Sequence, residues 1–143
     1  MNKQRLLLTS ALLAIALAAC SAAPENPTLA KLLKDTAASM NAQLPKPYVD
    51  GLVQESVRVD DSKFIIDIRI PDVRIGAFDP KKLPAIHRQE QQDVIKHACN
   101  DKSELALLDA GATVVRHFID QDRQAIFDVA AVKSDCSDPA AAP

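Results

Sequence analysis

The chain has 143 residues, 48% of them hydrophobic and 3% aromatic, with 17 basic residues, 19 acidic ones and a net charge of −2. With no tryptophan, one tyrosine and an acidic balance, it lacks the basic, aromatic surface that grips nucleic acid. Its three glycines form no phosphate-binding loop, and its length suits one domain with a modest core.

The first carboxylate is Glu25; before it stand Lys3, Arg5 and an apolar run from Leu6 to Ala18 broken only by Thr9 and Ser10. A basic start, a short apolar middle and a small-residue exit form the plan of a secretory signal. The run falls short of the roughly 18–20 residues that span a bilayer, and it lacks the polar face of a core helix. The exit Leu17-Ala18-Ala19-Cys20 resembles the lipobox read by the bacterial lipoprotein signal peptidase. That resemblance implies removal of residues 1–19, a thioether-linked diacylglycerol on Cys20 and usually a third acyl chain. Each buried methylene contributes about 0.8 kcal/mol, so two or three chains anchor stably. Ser21 rather than an aspartate follows the anchor, which by analogy with known sorting rules favours the outer membrane, facing the periplasm. From Cys20 onward 15 basic residues face 19 acids, a net charge of −4. No basic amphipathic segment remains, so membrane attachment is expected to rest on the lipid alone.

Residues 20–27 read as a tether. Asn26 then caps a helix with Pro27 at its first position, and Leu29, Leu32, Leu33, Ala37, Met40 and Leu44 give the apolar stripe. Pro45 and Pro47 end it. Alternation predicts a strand with Val53, Glu55, Val57 and Val59 on one face, then a second with Phe64, Ile66, Ile68 and Ile70, joined at Asp60-Asp61-Ser62 as an antiparallel hairpin. Asp79-Pro80 starts a helix running to about Ala98, with a kink or late start at Pro84, which cannot donate to the preceding turn. Ser103 is expected to cap a short helix holding Leu105, Leu107 and Leu108, and Gly111 to stop it in a left-handed conformation. Strands Thr113–Asp120 and Gln124–Val132 form a second hairpin around Gln121-Asp122-Arg123, where Arg123 stands in place of the usual glycine. The tail 137–143 is rich in proline and alanine and reads as disordered. Residues 28–136 should therefore fold as one α+β domain of order α-β-β-α-α-β-β. The expected architecture is a two-layer sandwich: a four-stranded antiparallel sheet with two main helices on one face.

Of three cysteines, lipid consumes Cys20, which leaves Cys99 and Cys136. In an oxidising periplasm such a pair most simply forms a disulfide; on the chain-entropy account it stabilises the fold by roughly 3–4 kcal/mol. His87, His97 and His117 make no HxxxH or HExxH pattern, and the neighbour His97 would need, Cys99, is already used. No nucleophile elbow or Cys-His dyad is present, and acid pairs such as Asp60-Asp61 suit turns for backbone reasons. No catalytic residue, metal, cofactor or small-molecule substrate is expected, and an enzyme is disfavoured.

The last hairpin offers a candidate partner surface. With Gln121–Arg123 as a three-residue loop, Arg116 falls opposite Asp128, flanked by Val114, Phe118 and Ile126 on the same face. The opposite face carries Val115, Ile119, Phe127 and Val129 with His117. Both faces are partly apolar and only one can meet the helices. Partial burial by loops is one explanation; an apolar strip centred on an ion pair, kept for a partner's helix or strand, is the other. A one-residue slip would exchange the faces.

The plan as a whole has a lipobox, a helix ending in Gln43-Leu44-Pro45, two strands, and a helix running into Cys99 with Asn100-Asp101 after it. Leu107-Leu108-Asp109-Ala110-Gly111 then precedes two strands and a closing Cys136. Over residues 28–136 this pattern resembles the small α/β pilotin lipoproteins of type II secretion systems, the class with a single disulfide. The resemblance implies a binding and assembly factor that escorts the secretin subunit to the outer membrane, the partner supplying a short C-terminal segment. The main rival is an immunity lipoprotein that blocks a periplasmic toxin, and a third reading is an envelope lipoprotein without a dedicated partner.

Overall fold

Helix α1 (Pro27–Asn41) begins where Pro27 can occupy a first-turn position without losing a hydrogen bond. The computed structural model describes residues 27–137; the signal peptide, Cys20, the cap residue Asn26 and nearly all of the tail lie outside the described residues. Leu33 and Ala37 of α1 are buried. Its last residue, Asn41, donates to the Val57 carbonyl at 2.7 Å and accepts from the Val57 N–H at 2.8 Å.

The sheet has five strands in the order β1 (Lys46–Pro47), β2 (Val53–Asp60), β3 (Lys63–Arg69), β4 (Thr113–Ile119), β5 (Ala125–Ala131). The two outer hairpins are antiparallel as expected, but β3 and β4 run parallel. The sheet is therefore mixed rather than wholly antiparallel, and it gains the short β1. The connection explains why. Helix α2 (Leu83–Asn100) has 18 residues and spans about 27 Å at 1.5 Å per residue. The seven-residue β3 spans about 23 Å. The helix thus carries the chain back along the sheet, and Thr113 starts β4 beside Lys63, the start of β3. Pro84 falls in the first turn of α2, the late start its missing N–H demands.

Helix α3 (Lys102–Asp109) is capped by Asp101 rather than Ser103: Asp101 Oδ1 accepts from the N–H groups of Ser103 and Glu104, both at 2.9 Å. It stops at Gly111, φ +95°, with Ala112 N–H bonded to Leu107 O and Gly111 N–H to Leu108 O, the paired bonds of a Schellman motif. Cys99, in the last turn of α2, is bonded to Cys136 with Cα atoms 5.3 Å apart, tying that helix to the turn Lys133–Cys136 after β5.

Register decides which sheet face meets the helices. Val57, Ile66, Arg116 and Val129 lie side by side across the four main strands, flanked by Phe64, Val114 and Ala131 in one direction and Ile68, Phe118 and Phe127 in the other. These residues, Arg116 apart, join Leu33, Ala37, Val94, Ile95, Ala98, Leu107 and Leu108 in one apolar core. All three helices therefore cover the same face. The other face carries Arg58, Asp67, His117 and Asp128, and among the described residues no helix lies over them.

Candidate functional site

On the covered face, a cleft of about 310 Å³ opens between the end of α1 and the α2–α3 corner. Met40, Lys46 and Tyr48 form one rim, and His97, Asp101 and Ser103 the other. The floor is Gln54, Ile66 and Arg116, with Glu104 at its side. Floor residues are buried: Arg116 is 2% exposed, Gln54 4% and Glu104 6%.

Each floor residue has a local reason to be there. Gln54 comes inward because a bulge between Gln54 and Ser56 inserts Glu55 as an extra residue. Strict alternation would have sent Glu55 into the core. The bulge sends it to the open face, where it meets Arg69 at 2.5 Å and Arg123 at 3.0 Å. Glu104 holds the third helical position of an Asp101-x-x-Glu104 start. In a capping box its carboxylate would fold back onto the cap's N–H, but the Asp101 N–H is bonded to the His97 carbonyl at 2.8 Å. Glu104 Oε1 turns instead to Arg116 Nη2, at 2.5 Å. His97 Nδ1 stands 3.5 Å from Glu104 Oε2 without a hydrogen bond between them. Arg116 Nε and Nη1 and Glu104 Oε2 are buried and have no hydrogen-bond partner. The Ser103 hydroxyl and the Glu104 N–H both donate to Asp101, which holds its carboxyl below the ordinary 3.8.

The candidate partner strip does not form as a surface. The loop Gln121–Arg123 is as expected, with Asp120 N–H bonded to Gln124 O, Ile119 paired with Ala125, and Arg123 at φ +64° in the place glycine would favour. A bulge between Phe118 and Ile119 then shifts the register by one. Arg116 faces Val129 rather than Asp128, and His117 faces Asp128, bonding it through Nδ1. Val114, Arg116 and Phe118 go beneath the helices at 0%, 2% and 3% exposure, while Asp128 goes to the open face beside His117 and Ile126 becomes the unpaired bulge residue between Ala125 and Phe127. The physical cause is selection by burial: the slip puts Phe127, Val129 and Ala131 into the core and the carboxylate outside it. Cys20 has no described position. Among the described residues no group of three or more His, Cys, Asp or Glu could hold a metal ion.

Both long sheet edges are occupied by helix side chains. Gln91 of α2 donates to the Ala130 carbonyl and accepts from the Ala130 N–H at 3.2 Å, and His87 Nε2 lies 2.9 Å from the Asp128 carbonyl. Asn41 does the same for Val57 on β2. These amides stand where a neighbouring strand would pair.

No family model and no curated protein matches the chain. Solved structures do. A pilotin of the Vibrio vulnificus type 2 secretion system, EpsS, matches at a TM-score of 0.60 and 18% identity, over 78% of this chain and 94% of that one. The type II secretion pilotin AspS of Vibrio cholerae matches at 0.60 and 17%, over 78% and 95%. A Pseudomonas aeruginosa protein put forward as secreted matches at 0.63 and 16%, over 81% and 99%. The chain shares the fold of these proteins. Sequence reasoning missed the floor partners Glu104 and Gln54; the Asp101-x-x-Glu104 start, and a lone arginine within the apolar run Val114–Ile119, were the signals that could have found the pair.

Proposed function

We propose that this chain is a pilotin-like lipoprotein: a binding and assembly factor, held to the outer membrane by lipid on Cys20, that seats a segment of a secretin in the cleft over Arg116. Residues 28–136 form its partner-binding domain, and residues 1–19 are its signal peptide. The observation that carries this reading is the fold, shared with two type II secretion pilotins over 94% and 95% of their lengths. The cleft is supported as the seat over the sheet edges, where strand addition is obstructed. Strand addition would have to displace Asn41 from β2 or Gln91 from β5. The Cys99–Cys136 bridge fixes the end of α2, and so one wall of the cleft.

The test is an affinity pull-down of the lipidated protein from its own outer membranes, read by mass spectrometry. Enrichment of a secretin, lost in a Lys46→Glu, Tyr48→Ala rim variant that melts like the wild type, is the expected result. Recovery of a toxin would make the chain an immunity lipoprotein. Recovery of no partner, or a secretin retained by the rim variant, would overturn the seat assigned here. Cys20→Ser should abolish acylation and release the protein from membranes; a variant that still labels with lipid would remove the anchor.

A further inference from the structure

The floor of the cleft has a chemical preference that its shape alone does not state. Arg116 and Glu104 neutralise one another through a single hydrogen bond, yet each keeps unused valences: Arg116 Nε and Nη1 as donors, Glu104 Oε2 as an acceptor. Both side chains are more than nine-tenths buried and both line the cleft. A carboxylate entering here would satisfy the arginine but set a second negative charge against Glu104 Oε2, while the rim charges, Lys46 and Asp101, are of opposite sign and offset one another. An ammonium would satisfy Glu104 and meet the arginine. Either would bring an unbalanced charge into a site already neutral, at a high desolvation cost. A carboxamide carries one acceptor oxygen and one donor nitrogen on the same carbon, with no net charge. It can accept from Arg116 and donate to Glu104 at once.

We propose that the cleft reads the side-chain amide of a glutamine or asparagine on the partner segment, with Arg116 donating to the amide oxygen and Glu104 Oε2 accepting from its nitrogen. This rests on the reading of the cleft as the partner's seat. A cavity of about 310 Å³ admits one such side chain with its adjoining backbone, the small end of the range for specific pockets, about 300–1,000 Å³. Removing either hydrogen-bonding group from the ligand leaves a buried protein atom unpaired, which is why sites of this kind discriminate sharply between polar isosteres.

The experiment titrates the full lipidated chain, isotope-labelled and in detergent, with three probes: N-acetyl-glutamine methylamide, its glutamate analogue and its alanine analogue. The readout is the Arg116 Nε–H resonance together with the Gln54 and Glu104 backbone amides. The glutamine probe should shift these saturably, with a dissociation constant of about 1–10 mM for a ligand this small. The glutamate probe should bind about tenfold or more weakly, and the alanine probe should leave Arg116 unmoved. In Glu104→Gln the arginine loses its counter-charge, and the preference should invert in favour of glutamate. The wild-type series decides by itself if that variant does not fold. No saturable shift with the glutamine probe, an equal response to the alanine probe, or an uninverted preference in folded Glu104→Gln would each overturn the proposal. A secretin captured through the rim while the glutamine probe leaves Arg116 unmoved would overturn the amide inference alone; saturable glutamine binding without any captured partner would overturn the partner reading instead.

Discussion

The two faces of the sheet handle charge in opposite ways. On the open face Glu55 meets Arg69 and Arg123, Asp67 meets Ser56 at 2.5 Å and Arg58 at 3.6 Å, and His117 meets Asp128. Beneath this lattice Ile65, Val115 and Ile119 are buried at 6%, 8% and 7% exposure, although no helix among the described residues covers them. On the helix face the same strands carry one charged residue, Arg116, dry and with a single partner. The first arrangement is many pairs laid over apolar side chains; the second is one pair removed from water, with unfilled valences on two residues that line a cleft. Charges of the first kind keep a face soluble, whereas charge of the second kind is costly unless something reads it.

Deleting one arginine from each face separates these regimes. Arg116→Met should cost about 3–5 kcal/mol, because it strands Glu104 as an unpaired buried charge. Adding Glu104→Met should restore much of that loss. Arg69→Met, whose pair with Glu55 is partly exposed at 25% and 11%, should cost under about 1 kcal/mol. Urea unfolding midpoints at constant slope give the comparison directly. Equal losses at the two arginines would erase the distinction.

The disulfide belongs wholly to the covered side. Cys99→Ala with Cys136→Ala releases a loop with a sequence separation of 37 and should cost roughly 3–4 kcal/mol, a fall of several degrees in Tm. Hydrogen exchange should quicken first at the end of α2, around His97, while the β2–β3 pairing keeps its protection. Loss spread evenly over both would mean that the bridge acts through the unfolded chain, as the chain-entropy figure supposes, without holding the end of α2 in place.

Much of this contrast was legible in the sequence, and the rest was lost at two single residues. The approximate helix spans, the places of both hairpin turns, the left-handed stop at Gly111 and the odd backbone at Arg123 follow from local rules of periodicity, proline and turn geometry. What local rules do not see is an inserted residue. The bulge at Glu55 removes a carboxylate from the core and draws Gln54 in; the bulge between Phe118 and Ile119 turns Asp128 outward and Val129 inward. Each is dictated by what the finished core would have to bury, which is a property of the whole sheet. The same holds for the parallel β3–β4 pairing, set by the length of α2 rather than by anything in either strand. Arg116 was recognisable as unusual, but its partner at Glu104 is twelve residues away on a helix that local reading capped at the wrong residue.

Edge protection is a smaller effect and should distinguish the helix side chains from ordinary surface polar groups. Gln91→Ala leaves the Ala130 N–H and C=O without the amide that pairs with both. The stability loss should be about 1 kcal/mol, but the larger consequence is an edge open to strand addition. Light scattering at matched folded fraction should show self-association in Gln91→Ala and none in Gln89→Ala, whose amide bonds Asp93 on the same exposed helix surface. Equal behaviour of the two would mean that the clamp does not guard the edge.

The smallest effect lies where the sheet ends, at Asp120. Burial opposes ionisation of this carboxyl, but the N–H groups of Gln124, Ile75 and Asp122 outweigh it, so its folded value lies below the ordinary 3.8. A depressed folded value means that the unfolded chain binds the proton first as pH falls. The stabilisation is therefore complete above 3.8 and is lost as pH drops through the folded value. Asp120→Asn keeps the shape and removes the charge, so the variant should be less stable than the wild type at neutral pH. That gap should close as pH falls below 3.8. Unfolding curves for both proteins across this window measure it. A gap that stays constant would mean that the three N–H groups hold a neutral amide as well as a carboxylate, and that the loop is fixed by hydrogen-bond count rather than by charge.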